Sequence, residues 1–326
     1  MDPVYRDTIV FDALNICNWS RAIFAGWRAA GITGVSATCG LWENFRDSMT
    51  NIAQWQRRFA EHADLIVPAR RVADIEQAKR DGKTAVVLSW QNTAGIEDRI
   101  DFLGLFAQLG VKIMQLTYNT QNYSGAGYSE AHDSGLTGFG REVVDEMGRV
   151  GIVCDLSHVG PKTSADVIAY AQQPPCFTHI LPAGLKAIAR NKSDALLRAV
   201  GARGGMIGLS QFGPFLPRGN DSTIDDYVAA LDYVIGLAGE DHVGIGSDAS
   251  EGHGRPSPFM EWCNHDKGYA RQLTPFGHDQ VVKVLGPLRE RPALADAMRR
   301  AGWSDARMRK VLGDNWMHYL RRIWGG

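Results

Sequence analysis

Residues 135–158 read GLTGFGREVVDEMGRVGIVCDLSH, and this stretch decides the fold. Phe139, Val143, Val144 and Met147 follow one another at spacings of four, one and three, which lines them up as one apolar stripe with charged residues opposite. A helix of that kind packs on a sheet. The run GIVCDLSH from Gly151 comes directly after it, apolar at its start and polar at its end. Seven more such runs flank this pair: TIVFDALN from Thr8, GITGVSATC from Gly31, TAVVLSWQN from Thr84, VKIMQLTYN from Val111, PCFTHI from Pro175, GGMIGLSQ from Gly204 and HVGIGSDA from His242. Helical segments lie between them, including WENFRDSMTNIAQWQRRFAEHA from Trp42 and TIDDYVAALDYVIGLAG from Thr223. Strands that alternate with helices argue for a parallel sheet with crossover connections.

Eight β/α repeats are the count that closes a TIM barrel, an α/β fold whose usual size of about 250 residues leaves length here for loops and a helical tail. The tail is expected from about residue 275. An open doubly wound sheet is the competing arrangement, but the turn after the first strand reads DALNICNWS, with no glycine-rich dinucleotide fingerprint. There is no internal repeat beyond β/α itself, no low-complexity stretch and no Pro/Ser linker, so residues 1–326 are expected to form a single (β/α)8 domain.

The chain carries 35 Lys and Arg against 36 Asp and Glu, which leaves no field to hold a polyanion; neither nucleic acid nor membrane is expected as a partner. The N-terminus MDPVYRDTIVFDALN has no basic segment leading into an apolar one, and no apolar run approaches the roughly 20 residues of a membrane span. A cytoplasmic protein acting on a small molecule is the expectation. Cys39, Cys154 and Cys176 sit in strand-like apolar runs, and the five cysteines are an odd number, so no disulfide framework is expected.

Active sites of such barrels lie at the C-terminal ends of the strands. The residues there are Asn15, Gln91 with Asn92, Tyr118 with Asn119, Asp155 with His158, His179, Gln211 and Asp248. Imidazoles ending two adjacent strands and a carboxylate ending the last would point into one bowl, where they suit zinc and hydrolysis. Taken singly, a strand-end histidine is more often structural, and Asp248 would serve as a helix cap. His132 and His253 occupy βα loops without an evident pairing, while His62, His242, His265, His278 and His318 read as surface or packing residues.

The motif GLTxFGxxVVxEMxRxGxxxDLSH, together with FTHI followed by ARNKSD, then GGMIGLS, DHVGIGSD and the closing LGDNW, resembles the renal (membrane) dipeptidase family of metallopeptidases over nearly the whole chain. The resemblance implies an amidohydrolase-type TIM barrel with two zinc ions that hydrolyses dipeptides. It implies His158 and His179 as ligands of one zinc, Asp248 as acceptor of the proton of the attacking water, and Arg190 as the clamp on the substrate carboxylate. It also implies a homodimer, for which the apolar tail near Trp316, Tyr319 and Trp324 offers a contact.

The departures fall at one end of the bowl. Where the family shows a His-x-Asp pair after the first strand, this chain has Leu14 and Ile16; its bridging glutamate corresponds to Gln91, and its oxyanion histidine to Tyr118. Leucine and isoleucine bind no metal, and an amide is a weaker zinc ligand than a carboxylate. At most one zinc ion is therefore expected. A phenol still donates a hydrogen bond, so Tyr118 is expected to assist the oxyanion. Asn15 and Gln91 are expected to touch substrate, with Asn18, Trp19 and Trp90 rimming the same end. Cys17 lies beside the vacated positions, as a substitute ligand, a nucleophile or a packing residue. Two functions follow: a dipeptidase-like hydrolase of a dipeptide or N-acyl amino acid with a reduced metal site, or a non-catalytic ligand-binding descendant of the same fold.

Overall fold

The structure, a computed structural model, describes residues 3–253, 262, 263, 265 and 293–325. Every one of the eight runs is a strand, and there is a ninth: β1 (Phe11–Asn15), β2 (Gly34–Gly40), β3 (Ile66–Pro68), β4 (Thr84–Trp90), β5 (Val111–Gln115), β6 (Val153–Asp155), β7 (Cys176–Ile180), β8 (Met206–Leu209) and β9 (Val243–Ile245). The described helices are α1 (Pro3–Asp7), α2 (Arg21–Ala29), α3 (Phe45–Glu61), α4 (Val72–Arg80), α5 (Phe102–Gln108), α6 (Gly138–Val150), α7 (Pro161–Tyr170), α8 (Asp194–Ala202), α9 (Ile224–Ala238), α10 (Ala293–Arg300), α11 (Asp305–Arg309) and α12 (Asn315–Trp324).

Eight strands pair in parallel in the order β1-β2-β4-β5-β6-β7-β8-β9. The last returns to the first: Asp248 N–H donates to the Leu14 carbonyl at 3.1 Å and Ile16 N–H to the Ala249 carbonyl at 2.7 Å. The result is a nearly closed eight-stranded barrel ringed by helices, a TIM barrel. The unexpected β3 pairs with the first residues of β4, from Ile66 opposite Thr84 to Pro68 opposite Val86, while β5 pairs with β4 further along. Three residues are too few to show a hydrophobic period.

Helix α6 illustrates why these residues form these elements. Thr137 accepts the Gly140 N–H at 2.9 Å and so satisfies one donor of the first turn; Gly151, at φ 69°, ends the helix in the left-handed conformation that glycine adopts without strain. Val143, Val144 and Met147 are buried as the stripe required. Phe139 is only half-buried, because Gly140 takes the inward position where a Cβ would overlap the Ser124 carbonyl.

One apolar cluster draws Phe11 and Ala13 from β1, Ala85 and Val87 from β4, and Ile113, Val153, Cys176 and Met206 from the next four strands; it is the barrel interior. Trp316 and Tyr319 of α12 belong to it. The Trp316 indole donates to the Ile245 carbonyl at 3.1 Å, and its ring lies 5.9 Å from Phe11. These two residues were expected to offer a contact between subunits; instead both are buried beneath the barrel, because its N-terminal opening needs an apolar plug. Of the tail expected from about residue 275, only the part from residue 293 lies within the described residues, and there it is helical. No helix among the described residues is long and apolar enough to cross a membrane.

Candidate active site

The later half of the barrel mouth is organised by Asp155, the last residue of β6. Its carboxylate is buried and accepts four hydrogen bonds: from Ser157 N–H at 3.0 Å, Ser157 hydroxyl at 2.6 Å, Thr178 N–H at 2.9 Å and Thr178 hydroxyl at 2.6 Å. Burial pushes its pKa upward, and these donors oppose that by favouring the charged form. With the Thr178 proton directed to Asp155, the Thr178 oxygen accepts from His179 Nδ1 at 2.8 Å. His158 Nδ1 in turn donates to the Asn119 amide oxygen at 2.6 Å. Both rings then direct an Nε2 lone pair inward, and the two Nε2 atoms meet at 2.8 Å. Such convergent lone pairs share a proton or hold a metal ion.

Around this pair lie Tyr118, Arg190 and Lys192. The Tyr118 ring stacks on His158 at 4.3 Å and 25°. Burial, with Cys263 and Asp248 adding to it, drives its pKa well above the ordinary tyrosine value and keeps it a neutral donor. Arg190 is buried; it donates to the His179 carbonyl at 2.9 Å and lies 5.8 Å from the Tyr128 ring centroid. No carboxylate of the described residues forms an ion pair with it. Lys192 is buried too, donates to the Val159 carbonyl and sits over the Phe177 ring at 5.3 Å. Burial, then Arg190, holds its pKa well below the ordinary lysine value. Burial and the same two cations, with His179, hold His158 far below the ordinary histidine range.

Asp248 follows β9 with φ 56°, and Asn119 follows β5 with φ 60°. Non-glycine residues adopt this conformation at a cost, and its concentration at strand ends facing one mouth is characteristic of working sites. Asp248 couples electrostatically to both Arg190 and Tyr118. The structure thus brings His158, His179, Tyr118, Arg190 and Asp248 into one electrostatic neighbourhood.

The earlier half differs from expectation. Asn15 is wholly buried and turned toward the helical layer, where its amide oxygen accepts from Trp27 of α2 at 3.1 Å. The amide NH2 of Gln91 is committed to Thr38 Oγ1 at 2.9 Å. Trp90 donates to Ser48 of α3 at 3.2 Å, and Trp19 packs on Trp27 and Trp55, so neither rims the mouth. Trp90 follows the strand alternation that points it outward, while Trp19 lies in the loop after β1. Asn18 donates to the Gly252 carbonyl at 3.0 Å. Cys17 is buried, bonded to the Ala249 carbonyl and accepting from Glu251 N–H; it is a packing residue that stitches β1 to the loop after β9. His253 bonds the Ile16 carbonyl at 2.7 Å. His132 is exposed, and His278 lies outside the described residues.

Leu14 is buried, and Ile16 belongs to a separate apolar cluster with Leu41 and Tyr118, bordered by Trp42, Trp262 and Cys263. In this half Leu14 and Ile16 are hydrocarbon where the resemblance implied two metal donors, and Gln91, a neutral amide, donates its NH2 to Thr38. Among the described residues no group of three His, Cys, Asp or Glu is placed to hold a metal. What remains for a single ion is the pair of imidazole nitrogens, with non-ligating nitrogens already fixed by Asn119 and Thr178.

Residues 21–263 match the family described as membrane dipeptidase, peptidase family M19. The chain belongs to this family of hydrolases acting on peptide bonds. It is 46% identical to an amidohydrolase from Pseudomonas aeruginosa of known structure, with 99% of this chain and 98% of that one covered and a TM-score of 0.94. A metallo peptidase from Rhodobacter sphaeroides, solved with a phosphinate mimic of the dipeptide L-Ala-D-Ala, shares the fold at 21% identity, with a TM-score of 0.82 over 98% of this chain and all of that one. The dipeptidase tcpJ of Claviceps purpurea is 28% identical over 284 residues, which are 86% of this chain and 60% of that protein. The chain thus spans about three fifths of the length of that fungal relative.

Sequence reasoning missed the bracing by Asp155, Thr178 and Asn119 and the buried Lys192. The polar tail of DLSH was the visible signal of the bracing, whereas nothing in ARNKSD marked Lys192 as buried.

Proposed function

We propose that the protein hydrolyses an amide bond in a small, amino-acid-derived substrate with a free carboxylate, such as a dipeptide or an N-acyl amino acid. The observation that carries this reading is the convergence of His158 and His179 within one electrostatic neighbourhood with Arg190 and Asp248. Arg190 pairs with the substrate carboxylate through the guanidinium N–H groups left over from its bond to His179. Asp248 takes the proton of the attacking water, and the Tyr118 hydroxyl donates to the developing oxyanion. At most one zinc ion is held, by His158 and His179; when bound it supplies a lower pKa for water. The near-neutral chain charge supports a small-molecule substrate.

The test is turnover of dipeptides and N-acyl amino acids by wild type, His158→Ala and Asp248→Asn. Loss of about 10²–10⁴-fold in kcat/KM is expected for each variant. Activity that persists in both removes the assigned roles. A second reading, a ligand-binding protein without turnover, is favoured by one observation: the apolar Leu14 and Ile16 at two positions where the resemblance implied metal ligands. Carboxylate-dependent binding with no hydrolysis of any substrate would establish it.

A further inference from the structure

In the earlier half of the mouth hydrocarbon stands where the family resemblance implied metal ligands, and this bears on the substrate. Ile16, Leu41 and Tyr118 pack as a cluster with Trp42, Trp262 and Cys263 at its border, and the three border residues are only partly buried. Tyr118 joins this cluster to the imidazole pair directly: one side of it stacks on His158 at 4.3 Å, and Trp42 meets it edge-on at 5.3 Å and 87°. Tyr118 and Trp42 thus carry the apolar cluster up to the imidazole pair.

A free dipeptide brings an α-ammonium to that end, and a cation removed from water needs an acidic partner. Among the described residues the nearby acids already accept hydrogen bonds. Glu43 accepts from Leu41 N–H at 2.6 Å, Trp42 N–H at 3.0 Å and the Trp262 indole at 2.9 Å, so it ties the wall of the cluster together. Asp12 accepts from Ser247 N–H at 2.8 Å and from the Ser247 hydroxyl, within the barrel. Among the described residues the remaining acid near the imidazole pair is Asp248, which interacts electrostatically with Arg190 and Tyr118.

We infer that the Ile16–Leu41–Trp42–Tyr118 wall is an acyl subsite, and that the substrate is an N-acyl amino acid with a bulky apolar or aromatic acyl group and no free α-ammonium. This rests on the hydrolase reading above for its chemistry but not for its binding. In the reaction the acyl C–N bond breaks; water supplies hydroxyl to the acyl carbon and a proton to the nitrogen, and a carboxylic acid and an amino acid leave.

The experiment is calorimetric titration of the full chain with N-benzoylglycine, N-acetylglycine and glycylglycine, alongside turnover of each. N-benzoylglycine is expected to bind at least about tenfold more tightly than either of the others, an advantage of about 1.4 kcal/mol. Trp42→Ala is expected to narrow the benzoyl-over-acetyl ratio, and Ile16→Asp to shift preference toward glycylglycine. Equal or tighter binding of glycylglycine, no discrimination between benzoyl and acetyl, or no binding of any of the three by wild type would each overturn the subsite. If the ranking holds and nothing is hydrolysed, the subsite stands and the hydrolase reading falls; if glycylglycine is bound and cleaved in preference, the reverse is true.

Discussion

Asp155 never faces the mouth, yet the orientation of His179 depends on it. Its two oxygens draw the hydroxyl protons of Ser157 and Thr178, and this leaves the Thr178 oxygen to accept from His179. Asp155→Asn replaces a fourfold acceptor with a group that also donates, inside a closed hydrogen-bond network. The expected cost is about 3 kcal/mol of stability, measured by denaturant titration, with a fall in kcat that exceeds any change in KM. Lys192 makes a pH prediction. Its folded-state pKa lies well below its unfolded value, so between the two the unfolded chain holds the extra proton and stability rises with pH. Denaturant melts from pH 7 to pH 10 should therefore show wild type gaining on Lys192→Met as pH increases; a constant difference would contradict a buried, desolvated ammonium. The histidines and Asp248 were legible as polar residues ending strands. Lys192 was not, because nothing in ARNKSD says that the lysine chain runs inward.

At the level of elements, the seam between β8 and β9 is set by glycines. A Cβ on Gly208 or Gly246 would overlap the Thr178 carbonyl of β7, so the strands come this close only because both residues lack one. Gly246→Ala should destabilise the protein by about 3 kcal/mol or more and displace Thr178, and with it His179. Gly236 is the contrast: it lies exposed in α9, a methyl group there would have nothing within 4 Å, and Gly236→Ala should stabilise by about 0.5–1 kcal/mol. Thermal melts of the pair read both signs. Strand and helix order were legible because each period is long enough to repeat. The short β3 was not, and neither was the exchange of Phe139 for Gly140 on the buried face of α6.

For the whole molecule, metal content and cooperativity are the measurable quantities. Protein purified without chelator should carry fewer than two equivalents of zinc by elemental analysis, since hydrocarbon at Leu14 and Ile16 and a neutral amide at Gln91 stand where the family resemblance implied donors. Two tightly held ions would contradict this. We also propose that residues 1–326 unfold as one unit, because α12 plugs the barrel through Trp316 and the helical segment before it passes so close to the chain at Ile9 that a Cβ on Gly313 would overlap the Ile9 carbonyl. A single calorimetric transition is expected, and two separable ones would show the tail to be independent. The sequence alone determined the eight-fold β/α order, the family, and the two histidines and the aspartate at strand ends, since these depend on local periodicity and on position within a run. Only the tertiary structure decided that Asn15, Trp19 and Trp90 face the helices, that Trp316 and Tyr319 plug the barrel, and that an apolar wall meets the imidazole pair. Those are contacts between residues far apart in the chain, and which side of a strand looks inward is set by packing that no single segment contains.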